Sequence, residues 1–216
     1  MTRLKRPSSA ATAAQTRVYA VRPEVLASQL RGEIATVPAT PHGRPALVVL
    51  MGLPGVGKSH CARLLCTRLG AAHVASDELR SRLFIAPSYA DEENRAVFGA
   101  ASAIVDALLA DGHRVVVDAT NLIARNRTGA VAVARSREVP VIYVRIIAPD
   151  GDARVRLASR RSARAPGDHS EADERIFERM RGQPFEPPAE GFLELTNGAD
   201  LAGEIDRIVA AVERAS

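Results

Sequence analysis

Tryptophan is absent from this 216-residue chain, and aromatic residues make up only 4% of it. A core without large rings must be assembled from Leu, Val, Ile and Ala, and a surface meant to stack many bases has few platforms to use. Lysine is nearly missing: Lys5 and Lys58 are the only two among 29 basic residues. Cysteine occurs only at Cys61 and Cys66. These lie on different faces of one predicted helix, which excludes a bridge between them and predicts reduced thiols and a cytoplasmic setting. No apolar run approaches the ~20 residues that a membrane-spanning helix requires. What remains is ordinary for a folded domain, 46% hydrophobic and 25% charged, with a net charge of +4 and a pI of 9.6 that suit an anionic substrate as well as nucleic acid.

One of the two lysines stands in the most informative octapeptide of the chain. Gly52-Leu53-Pro54-Gly55-Val56-Gly57-Lys58-Ser59 fits the phosphate-loop pattern G-x-x-x-x-G-K-[ST] at every fixed position. It follows the apolar run 46–51 and precedes the helix-like stretch 61–69, the strand–loop–helix context that the pattern demands. A chain this biased toward arginine has kept lysine where a compact ammonium must bridge phosphate oxygens and a planar fork would be too wide. The glycines let backbone N–H groups converge on an anion, and the next helix points its positive end at the same place. Residues 52–59 and the adjoining His60 are therefore the predicted ATP-binding set, with Lys58 on the β- and γ-phosphates and the Ser59 hydroxyl on magnesium.

Along the chain the pattern alternates strand and helix, the signature of an α/β protein with a parallel sheet covered on both faces. Strands are predicted at 46–51, 114–118 and 141–147, with weaker ones at 73–75 and 192–195. Helices are predicted at 92–110, 123–137, 150–163, 171–181 and 200–213. Residues 1–45 read as a region apart: a basic, acid-free start, a short helix at 24–34, and a Pro- and Gly-rich linker at 36–45. The composition of 1–17 belongs equally to a transit peptide and to a disordered basic tail, and the lack of a long amphipathic face favours the tail. The folded domain is expected to span 46–216, with a lid at about 154–182.

Three further groups narrow the chemistry. Asp77, just after the second strand, should emerge on the rim that carries the loop, because ligands of open parallel sheets sit at the carboxyl ends of strands. There it can accept a proton from an attacking hydroxyl, with Arg80 one helical turn on to hold a negative substrate group. The alternative for Asp77 is a first-turn residue that merely favours the helix dipole. Asp118 ends the strand 114–118 and is placed to assist magnesium, with Thr120, Asn121 and Arg125 nearby to orient the acceptor; a plain Asp-Thr-Asn turn is the alternative. Arg160 and Arg164 share a helical face before the hinge-like segment 165–168, so they suit a lid that closes on the phosphates, or else a solvated basic face. No N-K-x-D guanine signature occurs, which tilts the donor from GTP to ATP.

In this order, Gly52 to Ser59, Asp77-x-x-Arg80, Asp118-Ala119-Thr120-Asn121 and Arg160-x-x-x-Arg164 resemble polynucleotide 5′-hydroxyl kinase domains. The broader group includes zeta-toxin-type kinases, gluconate kinase and other small kinases with AAA-type ATP-binding domains. Phe185-Glu186-Pro187-Pro188 after a lid-like helix is also similar to this group. The resemblance covers about residues 46–214. It implies a three-layer α/β/α fold with a five-stranded parallel sheet in the order 2-3-1-4-5, Asp77 as general base, Arg80 gripping the acceptor's own phosphate, Asp118 as a supporting acid, and Arg160 and Arg164 as lid arginines. The scarcity of aromatics near the acceptor side (Tyr89, Phe84 and Phe98) departs from a base-stacking surface. The expected function is ATP- and magnesium-dependent phosphoryl transfer to a hydroxyl acceptor, foremost a nucleic-acid 5′ end. The alternatives are a metabolite, antibiotic or nucleotide-sugar acceptor, or a regulatory module that only binds or slowly hydrolyses ATP.

Overall fold

The computed structural model describes residues 37–84, 87–148, 155–156, 174–182 and 184–216. Five strands, β1 (Leu47–Met51), β2 (Ala72–Ala75), β3 (Val115–Asp118), β4 (Val141–Ile147) and β5 (Leu193–Thr196), form one parallel sheet in the order β2-β3-β1-β4-β5. The expected order is the observed one. Six helices are described: α1 (Lys58–Leu69), α2 (Ser76–Leu83), α3 (Asp91–Ala110), α4 (Ala124–Ser136), α5 (Glu174–Arg181) and α6 (Leu201–Ala215). The predicted helix at 24–34 lies outside the described residues. So does most of the one at 150–163, of which Val155 and Arg156 are described and helical.

The strands are apolar throughout because both faces of the sheet are covered. Side chains alternate across a strand, so Leu47, Val49 and Met51 of β1 face one layer while Val48 and Leu50 face the other. The first layer is closed by Leu79 of α2, Val97, Ile104 and Leu108 of α3, and Val131 and Ala134 of α4. The second is closed by Cys61, Leu65 and Leu69 of α1 and Ile205, Ile208 and Val212 of α6. Phe177 of α5 is 1% exposed in that second layer, which roots the C-terminal end of the predicted lid segment in the core. Without tryptophan, the core is filled by branched aliphatics, and five fully buried β1 residues form its spine.

The Pro- and Gly-rich stretch before β1 packs along the domain: Val37 touches the first layer, and Arg114 Nε donates to Arg44 O at 3.2 Å. Among the described residues, no helix is long and apolar enough to cross a membrane.

Candidate active site

Register decides where the chemistry gathers. Asp118, the last residue of β3, pairs with Leu50 on one side and Ala75 on the other. The residues that follow Leu50 and Ala75 are the phosphate loop and Asp77, so loop, Asp77 and Asp118 emerge on one rim. Gly52 N donates to Thr120 O at 3.0 Å and ties the loop to the end of β3. Gly52 admits no side chain, since a Cβ there would stand 2.7 Å from Ile146 O.

A cavity of about 230 Å³ opens at this rim. One wall is the loop itself: Pro54, Gly55, Gly57, Lys58 and Ser59. The others bring Asp77 and Arg80 of α2, Tyr89, Asn94 and Phe98 at and along α3, Asp118 at the end of β3 and Thr120 just past it, Arg125 of α4, and Met180 of α5. Of the predicted nucleotide residues, Gly52, Leu53, Val56 and His60 do not line the cavity; Gly52 and Val56 are buried behind it, and His60 is exposed. Leu53 contributes its carbonyl, which accepts from Lys58 Nζ at 2.9 Å.

Asp118 is buried and acts as an ion. Burial by itself would push its carboxyl up. The hydrogen bond and charge of His73, the Lys58 ammonium and a hydrogen bond with Ser59 together outweigh burial and hold it below the ordinary carboxylate value. His73 Nε2 lies 3.3 Å from Asp118 Oδ2. A hydroxyl and a carboxylate in contact beside the loop are the hard oxygen donors that magnesium prefers. Among the described residues no group of three or more His, Cys, Asp and Glu could hold a metal. Magnesium here would thus take its remaining oxygens from phosphate and water, as it does in nucleotide sites.

Across the cavity, Asp77 stands in the first turn of α2, so the dipole reading and the rim reading describe the same residue. Arg80, one turn on, is 4% exposed. Its Nη2 donates to Asn94 Oδ1 at 2.7 Å, its guanidinium carbon lies 4.4 Å from the Tyr89 ring centroid, and Nη1 is 3.6 Å from Glu93 Oε2. Nε and Nη1 have no hydrogen-bond partner among the described residues. Burial lowers the guanidinium's proton affinity; the charges of Tyr89, Asp77 and Glu93 work against that. Arg80 is thus a buried cation at the cavity wall, with Nε and Nη1 closed off from solvent and its charge facing Glu93.

Some predicted acceptor residues are placed differently. Asn121 is fully buried at φ 47, donates from Nδ2 to Leu50 O at 2.9 Å and does not line the cavity, so it braces the β1 end instead of facing a ligand. Arg125 lines the cavity but pairs with Asp91 at 2.8 Å, both more than half exposed. Arg160 and Arg164 lie outside the described residues. Sequence reasoning missed Glu93, which is 1% exposed and accepts from Ser88 N, Ser88 Oγ and Tyr89 N, fixing Tyr89 at φ 57 over Arg80. An acid in a helix first turn looks like a dipole partner, and nothing in its spacing reveals that it is buried.

The fold has close counterparts among solved structures. A Mycobacterium tuberculosis APS kinase, CysC, in complex with AMPPNP and APS is 25% identical with a TM-score of 0.58, covering 80% of this chain and 99% of that one. Chaetomium thermophilum Kti12 in complex with ADP-AlF3 is 21% identical with a TM-score of 0.63, covering 78% and 98%. A Sinorhizobium meliloti gluconokinase is 17% identical with a TM-score of 0.58, covering 80% and 94%. The latter two are likenesses of fold alone. Among curated proteins no sequence matches. A match to the AAA domain family AAA_33 runs over residues 47–188, from β1 through the phosphate loop to the segment after α5. With well over half of its length matched, this chain belongs to that family.

Proposed function

We propose that this protein is a kinase that moves the γ-phosphoryl group of ATP to the hydroxyl of an acceptor that carries its own anionic group, foremost the 5′ end of a nucleic acid. The observation that carries this reading is a single cavity lined on one side by Lys58 and Ser59 and on the other by Asp77 and Arg80.

Loop amides and Lys58 hold the β- and γ-phosphates and neutralise charge as it spreads over the transferring group. Ser59 and Asp118 would hold magnesium, whose charge draws the phosphate oxygens together when bound. Arg80, which lines the same cavity, holds the acceptor's phosphate through its guanidinium charge, with Asn94 and Tyr89 fixing the guanidinium plane. That grip brings the acceptor hydroxyl to Asp77. The Asp77 carboxylate takes the hydroxyl proton as the oxygen bonds to the γ-phosphorus, and the bond from that phosphorus to the bridging β-oxygen breaks to release ADP. Arg160 and Arg164, one helical turn apart in sequence, are proposed to close over the phosphates and exclude water.

A second reading, a small anionic metabolite as acceptor, is favoured by the modest cavity and by the few rings, Tyr89 and Phe98, on its acceptor side. Phosphoryl transfer from γ-labelled ATP is to be measured against oligonucleotides with 5′-hydroxyl and 3′-phosphate ends, nucleoside monophosphates, sugar phosphates and uncharged sugars. Labelled 5′ ends, steeply inhibited by salt, support the nucleic-acid acceptor. Labelling of small phosphates alone supports the second reading. Phosphate release that no acceptor stimulates refutes both.

A further inference from the structure

At the back of the phosphate loop, Val56 O accepts a hydrogen bond from Asn197 Nδ2 at 2.8 Å and another from Arg156 Nη1 at 3.3 Å. Asn197 lies 141 residues further along the chain, just past β5. It is 7% exposed, and its backbone N–H donates to Ile147 O at 2.8 Å, so its backbone is tied to the end of β4 while its side chain holds the loop. The β5–α6 junction around it is itself held: Thr196 N donates to Glu204 Oε2 at 3.3 Å, and Gly203 N to Asp200 Oδ1 at 3.3 Å. The side chain reaches Val56 because the next residue is Gly57. A Cβ on Gly57 would occupy the place of Asn197 Nδ2.

A trans peptide is planar, with its C=O and N–H pointing in opposite directions. Holding Val56 O toward Asn197 therefore turns the Gly57 N–H the other way, to the loop face that lines the cavity. Nothing local enforces this, because glycine visits positive and negative φ about equally and Gly57 sits at φ 92, ψ 24. A flipped Val56–Gly57 peptide would aim a carbonyl oxygen at the phosphates.

We propose that Asn197 is a positioning residue for polyphosphate recognition. It locks the Val56–Gly57 peptide so that the Gly57 N–H faces the ligand, and it makes the β5–α6 junction part of the nucleotide site without touching the nucleotide. This rests on the reading of residues 52–59 as a polyphosphate cradle.

The test is calorimetric titration of the full chain with magnesium tripolyphosphate and with magnesium ATP. Wild type is compared with Asn197→Leu, which keeps the branched shape but loses the donor, and with Asn197→Ser, which leaves space. Loss of one buried hydrogen bond predicts a Kd increase of about tenfold. The factor should be the same for both probes, because the lost restraint acts on the phosphate half. The proposal is overturned if wild type binds and both variants bind equally well. It is overturned too if the increase is no larger than the unfolded fraction seen by circular dichroism in the same sample. Uptake of neither probe by wild type sinks the cradle reading and this proposal with it. Should neither variant fold, ¹⁵N spectra of wild type decide: the Gly57 amide must move downfield on adding magnesium tripolyphosphate, and an unmoved signal overturns the assignment.

Discussion

The guanidinium of Arg80 is stacked on the ring of Tyr89, 4.4 Å from its centroid, while two of its nitrogens have no hydrogen-bond partner among the described residues. The stack restrains the plane beside the cavity that Arg80 lines. Arg80→Leu should therefore raise the KM for an anionic acceptor by about 10- to 100-fold, the worth of a charge-assisted hydrogen bond or two, with magnesium ATP affinity unchanged. Steady-state kinetics with each substrate varied in turn checks this. Equal loss for charged and uncharged acceptors would remove Arg80 from the acceptor's anion.

Asp77→Asn keeps the shape and loses the base. The expected outcome is a fall in kcat of about 10²- to 10⁴-fold, with nucleotide binding intact. Lys58→Ala should instead weaken both nucleotide binding and turnover, since its ammonium sits in the loop wall. Calorimetry beside single-turnover phosphoryl transfer separates the two patterns, and full turnover by Asp77→Asn would falsify its assignment as base.

His73 and Asp118 stand 3.3 Å apart beneath the loop, and the histidine helps to hold the carboxyl ionised. Replacing Asp118 by Asn should raise the magnesium concentration needed for half-maximal rate by at least about tenfold; His73→Gln should raise it by a smaller factor, as for groups that orient a ligand. Because the folded state depresses the Asp118 pKa below its ordinary 3.8, its ionisation favours folding above that value. That contribution is lost as pH falls through the depressed value. Denaturant titrations from pH 5 downward should show a shallower acid limb for Asp118→Asn.

The two thiols give a prediction at the other end of the pH scale. Burial, with the Asp118 charge second, pushes Cys61 up to about 11 and Cys66 up to about 12, from an ordinary 9.0. At pH 8 both should react with iodoacetamide far more slowly than in the unfolded chain, since the thiolate is the nucleophile. An unfolded chain releases these protons near 9.0 and the folded one holds them, so stability should fall as pH rises above 9.0. Rapid alkylation of the native protein at pH 8 would contradict this placement.

Phe177 anchors the C-terminal end of the predicted lid segment. At 1% exposed it fills the second layer, and Phe177→Ala should cost about 3–5 kcal/mol of stability, measurable by urea denaturation. A loss below about 1 kcal/mol would show that α5 is not rooted in the core.

The octapeptide at 52–59, the apolar strands and the alternation of strand with helix were readable directly, because each rests on local spacing. A buried parallel strand must be apolar on both faces, and a phosphate loop needs its glycines and lysine within eight residues. The sheet order followed from the resemblance that those motifs carry. Local spacing also placed Asp77, Arg80 and Asp118 on the loop's rim, since residues just past parallel strands share one edge.

What only the tertiary structure decided are contacts between residues far apart in the chain. Asn121 read as a ligand contact and instead braces the β1 end; Asn197 donates across 141 residues to Val56 O. Glu93, which no sequence signal singled out, is buried and accepts from Tyr89 N. A side chain's hydrogen-bonding atoms are written in the sequence. Which distant backbone group they meet depends on how two sheet faces are covered, and no local pattern encodes that.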